Sequence, residues 1–282
     1  MSLKIIENRL RAYQPTNARE ELSALKEIIQ EIALSALARA GFFAVAAFKG
    51  GSCLRIVHKL ERFSEDLDFT LIKPNETFVW DPLLKALQDE FVLYDLACEF
   101  LDRSKADQAV KQAFLKDQSF GKVLTLRYPR SSSDESVIKI KLEIDTNPPA
   151  GSKFEAHNID FPYTFSLVTQ DLPSLFAGKC HALLCRKYTK GRDWFDFVWY
   201  INKGVQPHYA YLQNALYQVG PWQGKALQMN KAWLKEALKA KIETVDWESA
   251  RDDAGKFLNV VQMRALDSWG CEFFQQLLVR WG

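Results

Sequence analysis

The sequence predicts an α+β protein, with a mixed α/β half over residues 1–170 and a helical half over residues 171–282. Two observations predict it. Short apolar or alternating runs of strand length are interspersed with helical spacing in the first half, whereas from Pro173 onward the pattern is nearly all helical. Composition shifts at the same place, with tryptophans at 194, 199, 222, 233, 247, 269 and 281. No internal repeat or low-complexity tract interrupts this division.

In chain order, Leu22, Leu25, Ile28, Ile29, Ile32, Leu34 and Leu37 form an apolar series that suits a helix over 18–40, with Gly41 as its stop. Phe42 to Phe48 reads as a buried strand ending at Lys49-Gly50-Gly51, after which Ser52 is placed to cap a short helix through about Leu60. Asp66 to Ile72 alternates. Asp66, Asp68 and Thr70 point one way, and Leu67, Phe69 and Leu71 the other. A helix is expected from Asp81 to Phe100, and a polar helix from Asp102 to Gln118. Lys122–Tyr128 and Val137–Asp145 read as strands joined by the loop-forming Pro129–Asp134. In the second of these, Lys139, Lys141, Glu143 and Asp145 share a face opposite Ile138, Ile140, Leu142 and Ile144.

A chain of 282 residues with 48% hydrophobic and 26% charged side chains is globular by composition. Its net charge of +2, from 37 basic and 35 acidic groups, means that any polyanion-binding surface must be local. The cysteines are 53, 98, 180, 185 and 271, odd in number and without a Cys-x-x-Cys pair, which argues against a disulfide framework or a zinc cluster. His58, His157, His181 and His208 show no ligand spacing and are read as structural. With no apolar run of spanning length and no leader pattern, a cytoplasmic protein with no membrane partner is expected.

The chemistry concentrates between residues 49 and 68. Carboxylates at i and i+2 of a strand share a face, with Cα atoms about 6.5 Å apart, and can converge on divalent cations through hard oxygen ligands. Alone, Asp66 and Asp68 read more readily as a solvated strand face. Gly50-Gly51-Ser52, between a strand and a helix, lets the backbone approach an anion and offers it N–H groups. Alone, that reads equally well as a tight turn. Thirteen residues separate Ser52 from Asp66, enough for one short helix and a return into the neighbouring strand. The pair therefore describes a phosphate cradle beside a metal site, the combination that phosphoryl transfer requires.

Lys49-Gly50-Gly51-Ser52 followed by Arg62-Phe63-Ser64-Glu65-Asp66-Leu67-Asp68 resembles the AbiE-type abortive-infection toxins of the polymerase beta-like nucleotidyltransferase superfamily. The resemblance covers residues 20–203. Ser52 stands where that family usually has Thr. The resemblance implies a nucleotidyltransferase core with a mixed sheet, Mg²⁺ or Mn²⁺ as cofactor and an NTP as substrate. It assigns Lys49, Gly50, Gly51, Ser52, Arg62, Ser64 and Arg186 to nucleotide and phosphate binding, and Asp66, Asp68 and Glu143 to the metal. Asp145, on the same face as Glu143, competes with it for the third carboxylate. A later element matches Lys179, Ala182, Leu183, Arg186, Arg192, Asp193 and Asp196, and adds Lys179 and Asp196 as catalytic residues. An RNA or tRNA 3′ end as acceptor and a cognate antitoxin as partner are implied in the same way.

The residues of the later element have a reading of their own. On a helix over 173–188, Lys179 and Arg186 share a face at the edge of an apolar arc, so Lys179 is expected to tolerate Met without much loss of stability. Asp193 reads either as a structural partner of Arg192 or as catalytic. Residues 179–192 hold five Lys/Arg and no acid before Asp193, the local basic patch that an RNA acceptor would need. The alternatives are a small-molecule, antibiotic-type nucleotidyltransferase and a catalytically silent nucleotide- or RNA-binding module. The first would want an acidic pocket, and the second has no need of three metal carboxylates.

Overall fold

Asn17 caps the long helix α2 (Ala18–Arg39) by accepting from the Glu20 amide, and Gly41, at φ 73°, stops it where the apolar series predicts the stop. The computed structural model describes residues 2–104, 108–117 and 138–281. The chain divides into two units. The first comprises Met1–Lys59, Phe63–Pro148 and Glu155–Thr169, and the second Leu60–Arg62, Pro149–Phe154 and Gln170–Gly282.

In the first unit, α1 (Ser2–Tyr13) packs on α2, joined by Arg9 to Glu31 and by the Tyr13 hydroxyl donating to Glu27 at 2.9 Å. Next come β1 (Ala46–Lys49), α3 (Gly50–Ile56), β2 (Leu67–Leu71), α4 (Asp81–Val92), β3 (Cys98–Asp102), β4 (Val110–Asp117), β5 (Ile138–Asp145), β6 (Phe154–Ile159) and β7 (Phe165–Gln170). The strands form a seven-stranded mixed sheet in the order β3-β4-β5-β2-β1-β7-β6. β2 runs antiparallel to β1 and parallel to β5. The apolar stripe of α2 is buried, with Leu25, Ile28, Ile29 and Ile32 fully covered. Phe42 meets Phe69 edge-on at 5.0 Å, and Trp80 is buried beside both.

Three local expectations are corrected. The run 42–48 opens as a 3₁₀ turn over Phe42–Ala44, and the strand begins only at Ala46. The helix expected over 81–100 ends at Val92, and Cys98–Asp102 is a strand. Val110–Asp117, expected within a helix, is β4. It is held between β3 and β5 with every residue from Val110↔Asp145 to Asp117↔Ile138 in register. Cross-strand pairing outweighs the weak helical preference of a segment rich in Lys, Gln and Ala. The strand expected over 122–128 and its loop, including Arg127 and Arg130, lie outside the described residues.

The second unit is helical from residue 172 on, with α5 (Leu172–Cys185), α6 (Gly191–Asn202), α7 (Tyr209–Gln218), α8 (Lys231–Ile242), α9 (Trp247–Gly255), α10 (Val260–Met263) and α11 (Cys271–Arg280). Asp171 caps α5 by accepting from the Ser174 amide. Its core is aromatic. Phe176 stacks on Tyr200 at 4.3 Å and Trp247 on Phe274 at 4.2 Å, while Trp194, Trp269 and Trp281 are buried. No helix among the described residues is long and apolar enough to cross a membrane.

Candidate active site

β1 delivers the chain to the turn at Lys49-Gly50-Gly51, and β2 returns beside it with Lys49 opposite Asp68. Gly50 has φ 79°, a conformation that costs an L side chain roughly 1–2 kcal/mol. A Cβ there would sit 2.3 Å from Asp68 Oδ2, so the glycine is what allows the turn to lie against the carboxylate. Helix α3 starts one turn earlier than the sequence suggested. Lys49 is its N-terminal flanking residue, and Ser52 lies inside the first turn instead of capping it. The buried Ser52 hydroxyl donates to the Asp66 carbonyl oxygen, which ties the turn to the start of β2. Asp66 immediately precedes the strand, two residues before Asp68.

The parallel register sets Asp68 beside Glu143 and Thr70 beside Asp145. β5 alternates as expected: Ile138, Ile140, Leu142 and Ile144 are buried, while Lys141, Glu143 and Asp145 are half-buried on the other face. Glu143 Oε1 accepts from Gln112 Nε2 at 2.8 Å and pairs with Lys141 Nζ at 2.7 Å. Asp145 Oδ2 lies 3.7 Å from Lys49 Nζ. The two competing carboxylates therefore have different surroundings, Glu143 in the row of Asp68 and Asp145 one pleat further on beside Lys49. The donor set of Asp66, Asp68 and Glu143 is made of carboxylate oxygens, which fits a hard divalent cation such as Mg²⁺. Ser64 contributes its carbonyl oxygen to Gln30 Nε2 at 3.0 Å.

The later element closes on itself in the helical unit. Lys179 Nζ, on α5, reaches Asp193 Oδ1 at 2.6 Å and Asp196 Oδ2 at 2.7 Å, both on α6. Arg62 grips Asp196 with two bonds of 2.6 Å, from Nε to Oδ1 and from its terminal nitrogen to Oδ2. Arg186 Nε is 3.1 Å from Asp193 Oδ2, an ion pair without hydrogen-bond geometry. Asp196 is 0% and Arg62 2% exposed. Burial pushes the Asp193 carboxyl up, but Lys179 and Arg186 outweigh it and hold it below its ordinary value. For Lys179, burial pulls the ammonium down, and the two aspartates more than restore it, leaving it raised. Arg62, assigned to phosphate by the resemblance, thus has its guanidinium turned into a buried pair instead of toward solvent. Asp196 likewise offers both oxygens to cations of the protein. Arg192 pairs with Asp253 and stacks over Phe257 at 4.0 Å. Of the five cations in 179–192, Lys179, Arg186 and Arg192 meet acids, while Lys187 is exposed and Lys190 half-buried.

Sequence spacing missed one cluster in the first unit. His58, Glu155 and His157 each bring a possible ligand atom within 4.8 Å of the others. Burial, and after it His157, pulls the His58 imidazole down to about 4 against the opposing pull of Glu155. The only signal in the sequence was Glu155-x-His157, two residues on one strand face. His58 lies far away in the chain, so no local pattern could have joined it to them.

A glycine turn set against a strand carboxylate, with a second carboxylate beside it on a mixed sheet, belongs to the nucleotidyltransferase class. The family of AbiEii nucleotidyl transferase toxins, of type IV toxin–antitoxin systems, matches residues 32–268, and the chain belongs to that family. Among solved structures, the nucleotidyltransferase toxin MenT4 from Mycobacterium tuberculosis H37Rv is similar in fold at 16% identity, covering 100% of this chain and 89% of that one with a TM-score of 0.57. JHP933 from Helicobacter pylori aligns at 18% identity over 92% of this chain and 88% of that one, with a TM-score of 0.48. No curated protein matches the chain in sequence.

Proposed function

We propose that the protein moves a nucleoside monophosphate from an NTP to the hydroxyl at an RNA 3′ end, a tRNA by preference, releasing pyrophosphate. In this reading it acts in the cytoplasm and is held in check by a cognate antitoxin protein. One observation carries the reading. Asp68 and Glu143 stand side by side in register on neighbouring strands, and the glycine turn that opens α3 at Gly50 is packed against the Asp68 carboxylate.

Asp66, Asp68 and Glu143 would hold the divalent ion, Mg²⁺ or Mn²⁺. When bound, that ion neutralises phosphoryl charge and favours departure of pyrophosphate. The amides of the Gly50-Gly51-Ser52 turn hold the distal phosphates, and Lys49 offsets the charge gathered there. Glu143, oriented by Gln112 and Lys141, accepts the proton of the attacking hydroxyl. Lys179, Asp193, Asp196, Arg62 and Arg186 act within the helical unit as a charge clasp between α5 and α6. They are positioning residues.

The test is incubation of the protein with each labelled NTP, Mg²⁺ and total bacterial RNA, followed by gel analysis. Label appearing in RNA from one preferred NTP supports the reading. Label in a small product overturns the RNA acceptor, and NTP binding without turnover overturns the enzyme.

A further inference from the structure

His58 stands two residues beyond the end of α3, and Glu155 and His157 sit at i and i+2 on β6, the edge strand of the sheet. The two imidazole rings meet edge-on, with centroids 5.3 Å apart and planes at 81°. His157 Nε2 lies 2.9 Å from Glu155 Oε1. His58 Nε2 is buried and has no hydrogen-bond partner among the described residues. A hydrogen bond between His157 and Glu155 accounts for their approach but leaves that nitrogen unexplained. Buried polar atoms of this kind ordinarily find a partner, protein or ion.

We propose that His58, Glu155 and His157 form a second metal site, separate from the Asp66/Asp68/Glu143 carboxylates, which takes a borderline transition-metal ion of the Zn²⁺ type and clasps the turn after α3 to β6. Two imidazole nitrogens and one carboxylate oxygen are a donor set that suits Zn²⁺. Mg²⁺ prefers oxygen alone. Ligand atoms around tetrahedral zinc lie about 3.3 Å apart, given metal–ligand distances near 2.0–2.1 Å. The His157–Glu155 separation is already close to this, and rotamer adjustment at His58 would complete the triangle. The fourth position is left to water. Glu155 and His157, with side chains 41% and 29% exposed, leave the site open to an ion from solvent. Because α3 begins at the Gly50-Gly51 turn, an ion here would steady the far end of the helix that carries the proposed phosphate cradle.

The experiment is a calorimetric Zn²⁺ titration of the chelator-stripped full chain, with thermal unfolding followed in parallel. It is repeated in Asp68→Ala so that ions at the acidic site do not count. One Zn²⁺ per chain should bind in that background and raise Tm, while Mg²⁺ does not substitute. Glu155→Gln and His157→Gln change partly exposed side chains, and circular dichroism checks that both fold. Each should weaken this Zn²⁺ by about 100-fold or more, because even outer-shell partners of a metal cost 10–100-fold. Unchanged stoichiometry, affinity and Tm response in both variants would overturn the site, as would the absence of Zn²⁺ binding to Asp68→Ala.

Discussion

Gly50 lies directly against the carboxylate of Asp68, so closely that one added carbon on the glycine would overlap Oδ2 at 2.3 Å. The turn and the carboxylate are therefore a single device. Gly50→Ala brings both a positive-φ strain of roughly 1–2 kcal/mol and a collision with Asp68. Transfer activity should fall by at least tenfold, and chemical denaturation should report a loss of stability of about that strain or more. Adding Asp68→Ala to Gly50→Ala should recover stability by relieving the collision, without recovering activity. A fully active Gly50→Ala would break the link between turn and carboxylate.

The charge clasp makes a stability prediction opposite to the one the sequence suggested. Lys179 looked replaceable by Met, its stem lying along an apolar arc. In the fold it satisfies Asp193 and Asp196 at once, inside a network in which Arg62, Asp193 and Asp196 are buried. Removing one partner of a buried ion pair costs about 3–5 kcal/mol, because the other charge remains uncompensated. Lys179→Met and Arg62→Ala should each show a loss of that order in urea unfolding. A change below about 1 kcal/mol for both, the range of exposed pairs, would remove the clasp as a stabilising element.

Glu31 provides a pH prediction for the first unit. It is 3% exposed on α2, beside Arg9, Tyr13 and Glu27. Burial lifts its carboxyl from 4.5 to about 7 against the pull of Arg9. The folded state thus binds the proton more tightly than the unfolded chain. The stability this contributes is complete below about pH 4.5 and lost as pH rises through about 7. Glu31→Gln should flatten the fall in stability between those values, measured by denaturant midpoints across the range. An identical slope in the variant would show that Glu31 is not the titrating group.

The acceptor reading is tested at Lys187 and Lys190. The basic stretch looked like five cations in sequence, but three of them meet acids in the fold. If RNA docks on what remains, Lys187→Ala with Lys190→Ala should weaken RNA binding. It should also flatten the salt dependence by about one unit for each duplex phosphate no longer neutralised, somewhat less for a single strand. NTP affinity should stay constant. Equal salt slopes for variant and wild type would take this surface out of RNA binding.

Periodicity made much of this fold legible. The stripe of α2, its Gly41 stop and the alternation of β2 and β5 all stand as the residues implied, because each depends on neighbours one to four positions away. The pairing of Asp68 with Glu143 was not readable in that way. It depends on parallel register across a long intervening segment, and the spacing of Glu143 and Asp145 cannot choose between them. β4 was misread because its ladder partners lie outside the segment. The pairing of Arg62 with Asp196 was out of reach for the same reason, since the two lie 134 residues apart.

The central claim is that Asp68 holds the divalent ion for nucleotidyl transfer, and Asp68→Asn tests it most directly. The substitution keeps size and shape while removing the charge. The measurement is the initial rate of nucleotide incorporation into RNA as a function of Mg²⁺ concentration, for wild type and variant matched in Tm. The account predicts a saturable Mg²⁺ dependence for the wild type and a loss of at least a hundredfold in the variant, on the order of the ~2.7 kcal/mol or more that such charge stabilisation supplies. A folded Asp68→Asn with wild-type rate and wild-type Mg²⁺ dependence would contradict it.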